Sequence, residues 1–142
     1  MRILNRFNLG FMMAAALLLA GGCAKNPEPA VRQRAQAFTQ LLTKDRFEEA
    51  VAFFDPDIAA RIGPVPLAEA FKSVMNAGKR ANEAARRKPD GFQIRTIYFN
   101  DDKNQATVHI VFFTTDAYGS DRQEFSTDQK WVLKKAVWYL TQ

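Results

Sequence analysis

Around Pro89-Asp90-Gly91 the spacing of apolar residues changes period, and this change restricts the fold more than any other feature of the chain. Upstream, apolar side chains recur every three or four residues; downstream they alternate. The first spacing gathers side chains on one face of a helix, the second on one face of a strand. Helices followed by strands that are joined through short turns predict an α+β domain. Its sheet is antiparallel and covered by helices on one face, since parallel pairing would need long crossovers between strands.

In the helical half, Val31, Ala35, Phe38 and Leu42 predict a helix from Ala30 to about Thr43. Phe47, Ala50, Val51 and Phe54 predict a second, with Asp45 and Glu48 in capping-box spacing at its start and Asp55-Pro56-Asp57 at its end. Ile58 to Ile62 reads as a short extra turn. A long helix is predicted from Pro66 to about Lys88, with the stripe Leu67, Phe71, Val74, Gly78, Ala81 and Ala85. Because that stripe shrinks to glycine and alanine, the helix is expected to approach its neighbour most closely in its C-terminal half. Lys79, Arg80, Arg86, Arg87 and Lys88 lie off the stripe; cations in a last turn suit the negative end of the helix dipole, and lipid headgroups are the other reading.

In the strand half, Phe92, Ile94, Thr96 and Tyr98 share one face of a first strand, and Ala106, Val108, Ile110 and Phe112 one face of a second. Phe125, Thr127 and Trp131 belong to a third, and Ala136 to Leu140 form the last. With the more apolar faces turned to the helices, Tyr98, Ile110, Phe112 and Trp131 are the candidate pocket lining. Phe112 and Phe113 are neighbours and must point to opposite sides. Val111 and Phe113, with Ile97 and Phe99 on the preceding strand, are therefore expected as an apolar patch on the outer face. Such a patch suits a homodimer or an envelope protein partner.

The N-terminus sets the compartment. Arg2 and Arg6 precede an apolar run from Leu9 to Gly22 that ends on Cys23, the only cysteine. About 14 residues fall short of the roughly 20 needed to span a bilayer, so the run reads as a secretory signal. Leu19-Ala20-Gly21-Gly22-Cys23 resembles the lipobox of bacterial lipoproteins, with Ala20 where leucine is usual. The resemblance implies cleavage before Cys23, diacylglyceryl attachment to its sulfur, and, with Ala24 following, an outer-membrane anchor facing the periplasm. A diacylated cysteine supplies the two acyl chains that stable anchoring requires. The expected organisation is a signal peptide over 1–22, a lipidated cysteine and tether over 23–29, and one domain over 30–142. Loss of Arg2 and Arg6 lowers the formal charge from +5 to +3, and export removes nucleic acid as a partner.

The Phe47-Glu48-Glu49-Ala50 segment, the long later helix and the ending Trp131-Val132-Leu133 to Val137-Trp138-Tyr139-Leu140 resemble the nuclear transport factor 2-like, or cystatin-like, superfamily. That resemblance implies helices packed on a curved antiparallel sheet of about four strands, forming a cone whose open end holds substrate in enzymes similar to ketosteroid isomerase. It departs at Lys134-Lys135, where members often carry an acidic-glycine turn, which leaves the last strand's register open. No carboxylate falls on the inward face, and no metal-ligand spacing, phosphate loop or nucleophile elbow is present. His109, the only histidine, falls on the outer face, where Asp128 can pair with it; this is the sharpest enzyme hypothesis. The expected function is a non-catalytic binding or scaffolding module without cofactor. The competing readings are a small-molecule enzyme and a lipid or small-ligand carrier using the cone.

Overall fold

The computed structural model describes residues 26–142. The expected signal peptide, Cys23 and the start of the tether lie outside the described residues. The elements are α1 (Glu28–Thr43), α2 (Phe47–Ala50) running into a 3-10 turn (Val51–Phe53), α3 (Pro56–Ile62), α4 (Pro64–Ala84), β1 (Lys88–Phe99), β2 (Gln105–Thr115), β3 (Arg122–Lys134) and β4 (Val137–Leu140). The strands form one antiparallel meander in the order β1-β2-β3-β4. Helices cover one face of it, as the change of period requires.

The face of α1 is the one its sequence indicates: Val31, Ala35 and Phe38 are buried, with Thr39 beside them. They pack on Ile94, Ala106, Val108, Ile110, Trp131, Trp138 and Leu140 of the sheet. Phe38 stands at the centre, with ring centroids 5.5 Å from Phe71, 6.0 Å from Phe53 and 6.1 Å from Trp131. Burying a side chain of that size contributes roughly 1.5–3 kcal/mol. Tilted and edge-on contacts add to this by setting ring edges against ring faces. Two arginines pin α1 across the sheet, Arg32 donating to the Ile94 carbonyl (3.3 Å) and Arg34 to the Trp138 carbonyl (3.0 Å).

Several helix details differ from expectation. The capping box does not form: Asp45 has φ 59, Arg46 takes the N-cap position of α2, and the Asp45 carboxylate binds Lys79 at 2.7 Å. The preceding stretch stops at Phe53, with Phe54 as its cap, and Asp55 starts the next helix, accepting from the Asp57 amide at 3.0 Å to cap α3. The long helix begins at Pro64 and stops at Ala84, where Arg86 (φ 54) turns the chain into β1. Its buried face is Leu67, Ala68, Phe71 and Met75, packed on Phe47 and Val51 of the preceding helical segment, whereas Val74 is 71% exposed and Gly78, Ala81 and Ala85 lie open. The close approach expected in its C-terminal half is therefore absent; the tight contact is at its N-terminal end. Arg87 instead holds the far end of the helix, donating to the Thr114 hydroxyl and carbonyl and to Asp121.

In the sheet, Ile94 faces Ile110 and Thr96 faces His109, so Arg95 is an extra residue in β1. A bulge of this kind reverses which side every later residue faces. Ile97 and Phe99 consequently pack in the core, while Tyr98 is 63% exposed on the opposite side. The expected assignments of Tyr98 to the interior and of Ile97 and Phe99 to the outer face are both reversed. The β3–β4 register is settled by Lys134 facing Val137 around a two-residue turn. Lys135 (φ 48) and Ala136 (φ 64) both adopt the left-handed conformation of a type I′ hairpin without the usual glycine.

Candidate ligand-binding cleft

The centre of the cone is filled, and an open groove of about 510 Å³ remains on the helix-covered side between α1 and β1, lined by Arg32, Gln36, Gln40, Phe92 and Ile94. Ile110 and Trp131 are 0% and 1% exposed, and Phe38, Phe53, Phe71 and Trp131 close over one another. The polar atoms there answer one another. Trp131 Nε1 donates to Gln129 Oε1 (3.2 Å), Gln129 Nε2 donates to Thr39 Oγ1 (3.0 Å), and Thr39 donates to the Ala35 carbonyl (2.8 Å). Among the described residues no buried side-chain polar atom lacks a partner. Of the four candidate pocket residues, Ile110 and Trp131 are thus core. Phe112 joins a phenylalanine row, 5.1 Å from Phe125 in a stacked pair and 6.0 Å from Phe92, at the end of the sheet. Tyr98 alone is exposed.

The expected outer patch is not a free surface either. Val111 and Phe113 do point outward, but they are 1% and 7% exposed. Arg122 lies over the Phe113 ring, 3.8 Å from its centroid, and pairs with Asp90 at 3.0 Å. Arg95 pairs with Glu124 at 2.9 Å. Both ion pairs reach from β3 to β1 across β2 and cover its apolar residues. Partially exposed pairs contribute little net energy themselves, but their stems shield the apolar surface beneath.

Away from that cover, the outer face opens into a cleft of about 400 Å³. Its floor is the cross-strand row Tyr98, Thr107 and Lys130, with Gln105, Val132 and Thr141 around it. One rim is the β1–β2 turn, made rigid by Asn100, whose Oδ1 accepts from the amides of Asn104 (3.0 Å) and Gln105 (2.9 Å). The opposite rim is Asp55, brought to the β4 edge because its amide donates to the Leu140 carbonyl at 2.9 Å. Lys134 binds Asp55 and Asp57, each at 2.7 Å. The Lys134 hydrogen bond holds the Asp55 carboxyl below its usual range, and the same bond raises Lys134. Asp55 is thereby a neutralised wall, not a free acid or base.

One row further along, His109 Nδ1 lies 2.8 Å from Asp128 Oδ1, so the outer-face pairing expected from the sequence is present. Both side chains are open to solvent, at 33% and 57% exposure. Among the described residues no nucleophile is hydrogen-bonded to the ring. No group of three or more metal-binding side chains occurs among the described residues.

The sequence matches no protein-family profile and no curated protein. The fold does match solved structures. A Campylobacter jejuni protein provisionally named an NTF2-like transpeptidase superposes with a TM-score of 0.56 at 15% identity, over 78% of this chain and 95% of that one. The protein Aln2 from a Streptomyces species aligns at 15% identity over 81% and 87% of the two chains, with a TM-score of 0.49. Likeness at this identity concerns architecture alone. The described residues have the nuclear transport factor 2-like fold, α+β with helices on one face of a four-stranded antiparallel sheet.

Proposed function

We propose that this chain is a bacterial envelope lipoprotein, held by a lipid on Cys23 at the outer membrane, whose domain binds rather than catalyses. The observation that carries the second half is the aromatic packing at the centre of the cone. Where a similar fold would hold a substrate, Phe38, Phe53, Phe71 and Trp131 pack ring against ring. A lipid carrier would need the same space. The carboxylate that lines the outer-face cleft, Asp55, is engaged by Lys134. The first half is supported by the lipobox-like Leu19 to Cys23 and the tether that follows. Cys23→Ser should abolish metabolic labelling with palmitate and leave unprocessed precursor in the cell. Normal processing and membrane retention of that variant would end the lipoprotein reading.

A further inference from the structure

We infer that the outer-face cleft is a binding site for an acidic saccharide, recognised through the ring of Tyr98 and the ammonium of Lys130. The inference rests on the binding-module reading and names its ligand class. Three features point to a sugar. First, the lining presents polar groups that are not already used: the Tyr98 and Thr107 hydroxyls, the Gln105 amide and Lys130 Nζ have no hydrogen-bond or ion-pair partner among the described residues. A ligand dense in hydroxyls and amides can answer all of them, whereas an apolar ligand would leave them unanswered and lose affinity.

Second, Tyr98 is a large aromatic side chain left 63% exposed beside those groups. A pyranose has one face of axial C–H bonds, which carry small positive charge and lie well on the negative face of a ring. Third, the cleft is shallow and already shaped. The Asn100 bonds fix one rim and the Asp55–Lys134 pair the other, so little ordering is required on binding. The acidic preference follows from charge. Lys134 is taken by two carboxylates, which leaves Lys130 as the unpaired cation of the cleft among the described residues. A carboxylate placed there gains a charge-assisted hydrogen bond.

The test is a protein-observed NMR titration of the full-length protein in detergent micelles with the disaccharide of N-acetylglucosamine and N-acetylmuramic acid. N,N′-diacetylchitobiose serves as the neutral probe and sodium acetate as the carboxylate alone. Saturable shifts are expected at Tyr98, Thr107 and Lys130, with the acidic disaccharide binding about tenfold more tightly than the neutral one. Tyr98→Ala should weaken both sugars about fivefold, with Tyr98→Phe close to wild type. Lys130→Gln should remove the preference for the acidic sugar and leave neutral binding unchanged. Absence of saturable shifts at tens of millimolar, shifts confined to other parts of the sheet, or acetate moving the same amides as strongly as the disaccharide would each overturn the assignment. None of these results bears on Cys23 processing, so failure here is separable from failure of the anchor.

Discussion

Replacing Gln129 by alanine tests whether water enters the cone. In the wild type the chain from Trp131 through Gln129 and Thr39 to the Ala35 carbonyl satisfies every buried donor along it. Gln129→Ala deletes the acceptor of the Trp131 indole N–H, in a place where Trp131 is 1% exposed. If the interior is dry, the stranded donor costs about 1–3 kcal/mol. The space left by the amide adds about 1 kcal/mol of lost packing. The sum, about 2–4 kcal/mol, is a large fraction of the 5–15 kcal/mol typical of a domain. It should lower the melting temperature by roughly 8–16 °C. Thr39→Val should cost about 1 kcal/mol in the wild type and less in the Gln129→Ala background, since the Gln129 donor is already gone and only the bond to the Ala35 carbonyl is left to lose. Urea unfolding followed by tryptophan emission and circular dichroism would measure both, with an unchanged slope confirming like-for-like comparison. A Gln129→Ala cost under about 1 kcal/mol with red-shifted native emission would mean that water replaces the amide. The cone would then be wet, and the pocket readings would return.

Three other outcomes follow from local geometry. Lys135→Asn with Ala136→Gly should raise stability by about 1 kcal/mol in a thermal melt, because both positions hold left-handed backbone that those residues tolerate; a lower melting temperature would refute the hairpin assignment. Asp55→Asn should destabilise the protein at neutral pH. Since Asp55 is held below its ordinary range, its contribution is present above about pH 4 and lost as pH falls through the lowered value; Lys134, raised by the same bond, keeps its contribution below about pH 10 and loses it above. A wild-type advantage that persists undiminished into strong acid would contradict this. Arg87→Lys should cost about 2 kcal/mol in urea unfolding, since an ammonium cannot reproduce the fork that spans Thr114 and Asp121, and equal stability would show that the clamp does not act.

What could be read in the sequence was what period alone determines. The faces of α1 and β2 followed from Val31, Ala35 and Phe38 and from Ala106, Val108 and Ile110, all of which are buried. The stripe of α4 was equally regular, but periodicity says which side of a helix is apolar and not how far its partner extends. Here the partners end near Met75, and the stripe runs on into solvent. The β3–β4 turn was obscured because neither Lys135 nor Ala136 is a residue that favours positive φ. The cover over Phe113 was not visible either, since Arg95 with Glu124 and Arg122 with Asp90 are pairs made only by sheet register.

Arg95 accounts for most of what changed in the reading of the candidate site. Its extra place in β1 turns Ile97 and Phe99 into the core, where Phe99 lies 6.0 Å from Trp138, and so helps to fill the cone. The same step carries Tyr98 to the outer face and into line with Thr107 and Lys130, which creates the cleft. The Arg95 side chain also ends over β2 through Glu124, which closes the neighbouring apolar surface. A trace was present in the sequence: the more apolar set in β1 switches from even positions, Phe92 and Ile94, to odd ones, Ile97 and Phe99, across Arg95. Alternation that changes parity inside one strand marks an inserted residue, because each buried face must remain apolar on both sides of it. One residue therefore trades an interior pocket for an exterior cleft, and the ligand chemistry moves with it from the apolar inside of the cone to the polar, ring-bearing outside.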